Sequence, residues 1–180
     1  MCSKRLNLGC GRNIKKDCVN LDSVSLPGVD IVHDIEKLPL PFDDEEFDEI
    51  LCENVLEHIE YIPVLKDLRR ILKPGGRLRI RVPHFSSRNN YVDPTHKKRF
   101  SVSTFEFFVE DSDHGKDYYF DFHFSKIVSR KIKFYKKGIF WPNRIVEPLI
   151  NLGPRIQWWY ESTYMCRLIP ANDIVVELVK

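Results

Sequence analysis

A glycine pair near the amino terminus is the first feature that could bind a ligand. The stretch LNLGCGRN, Leu6 to Asn13, places Gly9 and Gly11 one residue apart, directly after an alternating apolar pair. Glycine adopts positive φ easily and lets another molecule approach the backbone closely. A strand followed by such a turn is how α/β proteins present backbone N–H groups to a nucleotide. An ordinary tight turn would look the same, so the flanking residues decide between the two interpretations.

Carboxylates at the ends of the next two predicted strands favour a nucleoside ligand. Asp22 stands eleven residues after Gly11 and could accept hydrogen bonds from both ribose hydroxyls. Asp34 ends the third strand and could accept from an adenine amino group, and the LPLPF stretch behind it would supply an apolar wall. Ile14 occupies the position of the third glycine of a dinucleotide motif. The pattern predicts an adenosine-containing ligand and disfavours a dinucleotide, although each acid could also be a strand-end cap.

Two histidines and an aspartate are candidates for general base chemistry. His84 follows Pro83 at the carboxyl end of a predicted strand, the end that faces the ligand crevice in an open α/β sheet. His96 has Asp93 three residues before it, close enough to orient the imidazole. Either histidine could take a proton from a hydroxyl or amine, and either could instead be structural. The spacing of His84, Asp93 and His96 matches no established metal motif, so we expect no metal site.

The segment around these histidines also offers side chains for a substrate. Phe85 and Tyr91 could stack on a substrate or enclose it. Arg99 and the basic residues near it could bind a phosphate or carboxylate, although a solvated loop explains them as well. His58, in the LEHI stretch, either faces the site or packs against its own helix.

Short β-like runs that alternate with turn signals predict a doubly wound, mostly parallel sheet in the first half of the chain. The five expected strands span residues 5–8, 18–21, 30–33, 47–52 and 77–82. One or two helical turns fit between the first two strands. Pro63 is expected to start a second helix, and the KPGG stretch is expected to end that helix. Three arginines alternate with apolar residues in the fifth strand, so they either line a cleft or lie on a poorly covered face.

The second half of the chain is less regular. Ser103 and Glu106 have the spacing of a capping box. Residues 122–135 and 174–179 fit two further strands, and residues 141–167 fit one or two short helices broken by prolines.

Charge and tryptophan are concentrated in this second half. Residues 125–137 carry six Lys or Arg and no acid, which fits a solvated face or a patch that attracts an anionic substrate or a membrane surface. Trp141, Trp158 and Trp159 could close the site over a substrate, contact lipid, or cap the sheet.

Length and composition limit the class of protein to which the chain can belong. The 180 residues, 43% hydrophobic and 30% charged, fit one globular domain over residues 1–180. No apolar run approaches the roughly 18 residues of a membrane span, and the start leads into a strand rather than a secretory signal. The cysteines are odd in number and scattered without metal-like pairing, which favours a reducing cytoplasm: Cys2, Cys10, Cys18, Cys52 and Cys166.

Several motifs together resemble the class I S-adenosylmethionine-dependent methyltransferases. The resemblance rests on LNLGCGRN, VNLD, HDIEKLPLPF, FDEILCENVLEHI and LRRILKPGGRLRIRVP, in the family's order over residues 4–83. The stretch VPHFSSRNNYVDPTHKKRFS further resembles a subgroup of small microbial methyltransferases. This resemblance implies a Rossmann-like sheet of seven strands that ends in an antiparallel hairpin.

The resemblance also implies roles for particular residues. The glycine turn would lie under the methionine part of the cofactor, Asp22 would hold the ribose, and Ile35 would face the adenine. The expected cofactor-binding residues are Leu8, Gly9, Cys10, Gly11, Asp22, Ser23, Asp34, Ile35, Glu53, Asn54 and Val55. The expected substrate-binding residues are His58, Phe85, Tyr91 and Arg99, and the expected catalytic residues are His96, His84 and Asp93.

We therefore expect a cytoplasmic enzyme that transfers a methyl group from S-adenosyl-L-methionine by in-line displacement. The acceptor is unidentified, with a small molecule, glycan or lipid headgroup favoured over nucleic acid. Two alternatives stay open: a non-catalytic cofactor-binding or regulatory subunit, and an NAD-dependent oxidoreductase. Because the first crossover is short, the second half of the chain or a partner subunit in a homodimer could cover the cofactor.

Overall fold

A seven-stranded sheet organises the part of the chain that the computed structural model describes, which is residues 3–110, 112 and 118–180. The strands are β1 (Arg5–Leu8), β2 (Val19–Asp22), β3 (Ile31–Val32), β4 (Phe47–Glu53), β5 (Leu72–Pro83), β6 (Lys126–Lys133) and β7 (Asp173–Val179). The helices are α1 (Tyr61–Ile71), α2 (Asn89–Val92), α3 (Asn143–Ile150), α4 (Pro154–Ser162) and α5 (Met165–Leu168). Short 3-10 helices span Leu56–His58, Thr104–Phe108 and Gly138–Phe140.

The order of the strands determines where a ligand can bind. They lie in the order β3-β2-β1-β4-β5-β7-β6. The first five pair in parallel, and β7 pairs antiparallel with both β5 and β6. This confirms the predicted Rossmann-like sheet with an antiparallel carboxyl-terminal pair. Strands β2 and β3 lie on one side of β1, whereas β4 and β5 lie on the other, so the strand order reverses between β1 and β4. Open α/β sheets bind ligands in the crevice at that point.

The connection between β1 and β2 contains turns and no helix, contrary to the expected one or two helical turns. Buried asparagines fix it instead. Asn7 on β1 donates to the Asn13 carbonyl and to the Asn20 side chain, both at 2.9 Å. Asn20 Oδ1 also accepts from the Lys15 N–H at 2.9 Å. These bonds satisfy the loop backbone that a helix would otherwise have satisfied, and they hold the glycine turn against the strand ends.

The arginines of β5 lie on a poorly covered face of the strand. Leu78, Ile80 and Val82 are fully buried, whereas Arg77 and Arg79 are exposed. Arg81, at the carboxyl end, pairs with Asp173 at the start of β7. Insertion of β7 beside β5 therefore neutralises the arginine closest to the crevice.

Three local predictions differ from the structure. Helix α1 begins at Tyr61, so Pro63 is its third residue, and β5 begins at Leu72, so it includes the KPGG stretch. The Ser103–Glu106 capping box does not form, because Thr104 Oγ1 accepts from the Ser101 N–H and Ser101 Oγ accepts from the Ser103 N–H.

Three helices, rather than one or two, connect β6 to β7. They carry two of the three tryptophans and two of the four prolines between those strands. None of the described helices has both the length and the apolar character needed to cross a membrane.

Candidate active site

The glycine turn after β1 is shaped by its contact with β4. Gly9 and Gly11 have φ of +63° and +50°. A Cβ on Gly9 would lie 2.4 Å from Val55 Cγ2, so only glycine lets the turn pack against the residue that follows β4. A Cβ on Gly11 would meet nothing within 4 Å, so the second glycine borders open space. Such a turn has room for a ligand beside its backbone.

Asp22 is tied to this turn. The Gly11 N–H donates to Asp22 Oδ2 at 2.7 Å, and the Val24 N–H donates to Oδ1 at 3.0 Å. Each oxygen keeps accepting capacity for a ribose hydroxyl, because a carboxylate oxygen has two lone pairs. Val32 lies opposite Asp22 in the sheet and is 55% exposed, an apolar surface that the sequence reasoning missed.

The other expected cofactor residues differ in how much of their side chain is available. Asp34 is exposed, and its Oδ1 accepts from the Glu36 N–H at 3.1 Å. Ser23 is also exposed. Leu8, Cys10 and Ile35 are buried in the core, so Leu8 and Cys10 offer a ligand mainly their backbone and Ile35 has little surface left for an adenine ring.

The end of β4 separates two sides of the crevice. Glu53 Oε2 points toward the glycine turn, 3.5 Å from Asn13 Nδ2 and 3.6 Å from Lys15 Nζ. Asn54 adopts a left-handed conformation, with φ of +57°, and its N–H donates to the Arg81 carbonyl at 2.8 Å. Its side chain lines a cavity on the other side. This turn lets Glu53 face the glycine turn while the next residue, Asn54, faces the cavity.

That cavity has a volume of about 290 Å³, and nine of its eleven lining residues are polar. Four of the predicted residues line it: Asn54, which was expected to bind the cofactor, and His58, Asp93 and His96. The remaining lining residues are Glu57, Arg81, Pro83, Asn89, Val92, Asn172 and Asp173.

Glu57 is the central acid of the cavity. It is fully buried, and neither of its carboxylate oxygens has a hydrogen-bond partner among the described residues. Burial, with smaller contributions from the nearby carboxylates of Asp173 and Asp93, raises the pKa of Glu57 to about 7. Its backbone carbonyl accepts from the N–H groups of Lys97 and Lys98, at 2.7 and 3.1 Å, which positions the His96 loop over it.

His96 is held between two carboxylates. Its Nε2 lies 3.7 Å from Asp93 Oδ2 and 4.0 Å from Glu57 Oε1, and its buried Nδ1 has no partner among the described residues. Burial lowers the pKa of His96, and the neighbouring His58 ring lowers it further. The imidazole is therefore biased toward its neutral, proton-accepting form.

Thr95 links the other polar groups of the loop. Asp93 Oδ1 accepts from the Thr95 N–H at 2.9 Å and from the Thr95 hydroxyl at 2.6 Å, and these bonds lower the pKa of Asp93. The Thr95 oxygen then accepts from His58 Nδ1 at 2.8 Å. His58 and His96 also contact each other edge to face, with ring centroids 4.6 Å apart. Asp93 is therefore ionised and fixed.

Glu57, His58 and His96 could each offer one ligand atom to a metal, with all three atoms within 4.8 Å of one another. Ligands bonded to zinc at about 2.1 Å lie only roughly 3.4 Å apart in a tetrahedral site. Glu57 Oε1 and His96 Nε2 lie 4.0 Å apart, wider than that spacing, so this pair fits proton exchange better than metal binding.

The remaining predicted residues lie outside the lining of this cavity. His84 is fully buried, with Nδ1 2.8 Å from Ser86 Oγ and Nε2 2.9 Å from Glu161 Oε1. Both of its nitrogens are used to join the end of β5 to α4, so neither is free to accept a proton from a substrate. Phe85 lies under the Arg167 guanidinium, and Tyr91 stacks with Arg99 at the surface.

The residues missed by sequence reasoning differ in how they could have been found. Glu57 stands beside His58 in a motif already identified, so an acid next to a candidate histidine was a usable signal. Asn172 and Asp173 come from the start of β7, more than a hundred residues later in the chain. Only the antiparallel insertion of β7 beside β5 brings them to the cavity.

Comparisons with known proteins agree with this fold. Residues 10–80 match the family described as Methyltransferase domain. A solved S-adenosylmethionine-dependent methyltransferase from Archaeoglobus fulgidus is 20% identical, with a TM-score of 0.62, over 99% of this chain and 86% of that one. The YcgJ protein from Bacillus subtilis is 15% identical, with a TM-score of 0.59, over 99% and 92%.

One match lies in the curated sequences. An uncharacterized protein of Methanocaldococcus jannaschii is 56% identical over 41 residues, which cover 23% of this chain and 18% of that protein. The match therefore spans less than a fifth of the relative's length.

Proposed function

We propose that this chain, which by its domain and its fold is a class I S-adenosylmethionine-dependent methyltransferase, methylates an acceptor bound in the cavity beside Asn54. One observation carries the proposal. Glu53 faces the glycine turn and Asn54 faces the polar cavity, from consecutive positions at the end of β4. A cofactor on the turn and an acceptor in the cavity would then meet at the crevice where the sheet order reverses.

The glycine turn and Asp22 fit the adenosine and methionine parts of the cofactor. The space beside Gly11 is open, and Asp22 is oriented by two N–H groups with capacity left for hydroxyl donors. We assign the ribose to Asp22 and the adenine to the exposed surface of Asp34 and Val32. Ile35 would contribute only its residual surface.

The cofactor supplies a methyl group on a positively charged sulfur, so the protein need not create a strong electrophile. What its residues must do is align the acceptor and receive a proton. Alignment of this kind is worth roughly 7–11 kcal/mol of barrier when well achieved. We propose that His96 accepts the proton, that Asp93 orients the imidazole, and that buried Glu57 shares the proton once ionised.

The cavity lining favours a neutral or cationic acceptor with hydroxyl or amine groups. Amide side chains from Asn54, Asn89 and Asn172 can bind such groups. The carboxylates of Glu57, Asp93 and Asp173 would repel an anion, and Arg81 is already paired with Asp173. We therefore propose a small molecule, a glycan or a lipid headgroup as the acceptor rather than nucleic acid.

Two experiments test this function. Calorimetric titration should give binding of S-adenosylmethionine and none of NAD; the reverse result would favour an oxidoreductase. Cell extract incubated with the enzyme and radiolabelled methyl donor should then yield a labelled product. Cofactor binding without any labelled product, in extracts from several growth conditions, would favour the regulatory subunit.

The location and assembly of the protein are also proposals. We propose a cytoplasmic protein, because Cys10, Cys18, Cys52 and Cys166 are all free thiols; Cys2 lies outside the described residues. A homodimer is the alternative assembly that would cover exposed surface, and analytical ultracentrifugation tests it.

A further inference from the structure

The connection between β6 and β7 exposes an extensive apolar surface. Ten of the nineteen large hydrophobic side chains that are exposed in the described part of the chain lie within residues 138–168. Ile139 is 86% exposed, Leu152 and Leu168 are each 70% exposed, and Trp158 is 63% exposed. Exposure of this extent on a folded domain marks a surface that meets an apolar partner.

The helices of this connection bury polar residues beside apolar ones and leave other large apolar residues exposed. In α3 the buried side chains include Asn143 and Glu147, while Ile145 and Leu149 are exposed. In α4 Gln157 is buried and the adjacent Trp158 and Trp159 are exposed.

Hydrogen bonds anchor the buried polar residues. Asn143 donates to the Tyr135 carbonyl, Glu147 accepts from the Phe134 N–H, and Gln157 donates to the Arg130 carbonyl. The helices are thus attached to the sheet edge through polar contacts as well as through the buried Ile150 and Tyr160. A surface helix normally turns its apolar residues to the core, whereas these helices leave further large apolar residues exposed.

The charge around the apolar residues has one sign. Residues 126–170 contain nine Lys or Arg and only two acids, Glu147 and Glu161. Both acids are about nine-tenths buried and paired: Glu147 with Lys133 and Lys136, and Glu161 with His84. Arg144 and Arg155, by contrast, are exposed on the helices.

We propose that the exposed face of α3, α4 and α5, with the preceding 3-10 helix, docks on an anionic lipid bilayer. Tryptophan favours the boundary between headgroups and acyl chains, and Lys and Arg beside it are attracted to anionic lipid. A second copy of the chain fits less well, because a two-fold interface would set the same cationic surface against itself.

Docking in this way would bring the acceptor cavity near the lipid surface. Glu161 of α4 bonds to His84 at the end of β5, and Asn172 of the cavity follows α5 by four residues. The docking itself does not depend on methyl transfer, so the two proposals can fail separately.

The test is co-sedimentation of the full chain with vesicles of phosphatidylcholine alone or mixed with phosphatidylglycerol. We expect binding to the mixed vesicles, with a blue shift of tryptophan fluorescence, and little binding to the neutral ones. Trp158→Ser combined with Trp159→Ser should reduce binding at least tenfold by removing two inserted rings. Arg144→Glu combined with Arg155→Glu should reduce it by roughly fivefold or more for each lost cation.

Matched controls use exposed residues outside this face. Tyr118→Ser and Lys16→Glu should bind like the wild type. Failure to bind anionic vesicles, or binding that the paired tryptophan change leaves intact, would overturn the proposal. So would a concentration-dependent dimer in analytical ultracentrifugation that the tryptophan changes disperse, because the face would then be an interface between copies.

Discussion

The two sides of the crevice differ in how their polar groups are satisfied. On the glycine-turn side, Asp22 already receives two N–H groups and Asn7 is fully engaged. On the cavity side, Glu57 and His96 are buried with unpartnered atoms. A site that only binds gains from groups fixed in advance, whereas one that moves a proton needs groups whose pKa burial can shift. The comparison implies that one substitution can abolish cofactor binding and that a different one can abolish turnover.

Asp22→Ala should have the largest effect, on cofactor binding, although it also removes the acceptor of the Gly11 and Val24 N–H groups. Loss of two hydrogen bonds to a carboxylate should weaken cofactor affinity by on the order of a thousandfold. Calorimetric titration measures it, with exposed Ser25→Ala as the matched control. Unchanged affinity in Asp22→Ala would remove the acid from the site.

His96→Asn tests the opposite side. Turnover with the acceptor identified by the labelling screen should fall by roughly a hundredfold or more, with cofactor affinity intact. His84→Asn is the matched comparison: because its ring joins β5 to α4, it should lower the melting temperature more than it lowers turnover. If His84→Asn stopped turnover in a stable protein while His96→Asn did not, the assignment of the base would be reversed.

Gly9→Ala should damage the fold rather than the chemistry. Positive φ and the Val55 contact together should cost roughly 2–3 kcal/mol of unfolding free energy, measured by urea denaturation. Val55→Ala should recover part of that loss in the double variant. Gly11→Ala provides the contrast: its φ of +50° still strains an alanine by roughly 1–2 kcal/mol, but it has no neighbour to displace, so it should lose less stability than Gly9→Ala and bind cofactor more weakly than the wild type.

Glu57→Gln should raise the free energy of unfolding while it lowers turnover. The folded-state pKa of Glu57, about 7, lies above its ordinary value of 4.5, so the folded state holds the extra proton between those limits. Stability from this group is complete below pH 4.5 and falls as pH rises through 7. At pH 8 the variant should gain up to about 3 kcal/mol.

Melting curves at pH 5 and pH 8 measure this gain, and Glu60→Gln, on the exposed surface, is the control. Turnover of the wild type should rise with pH through neutrality, and this inflection should vanish in Glu57→Gln. A variant no more stable than wild type at pH 8 would contradict a raised pKa for the buried Glu57.

Sequence alone predicts the cofactor side better than the cavity. Gly9, Gly11 and Asp22 lie within a short stretch, and their spacing reflects one local turn. His96 and Asp93 could be predicted because they share a loop. Asp173 could not, because its position depends on a strand pairing between distant residues, and neither could the burial of Glu57, which depends on the loop that covers it. Ile35 was expected to face the adenine, but hydrophobic packing drew it into the core.

The insertion of β7 between β5 and β6 also bears on how the molecule is assembled during synthesis. The turn, Asp22 and β4 emerge from the ribosome well before residues 172 and 173, which the cavity needs, and they close over short loops. Contacts so distant in sequence form late. A nascent chain would therefore acquire the proposed nucleoside pocket before the proposed acceptor cavity, which delays reactivity until β7 has paired with β5.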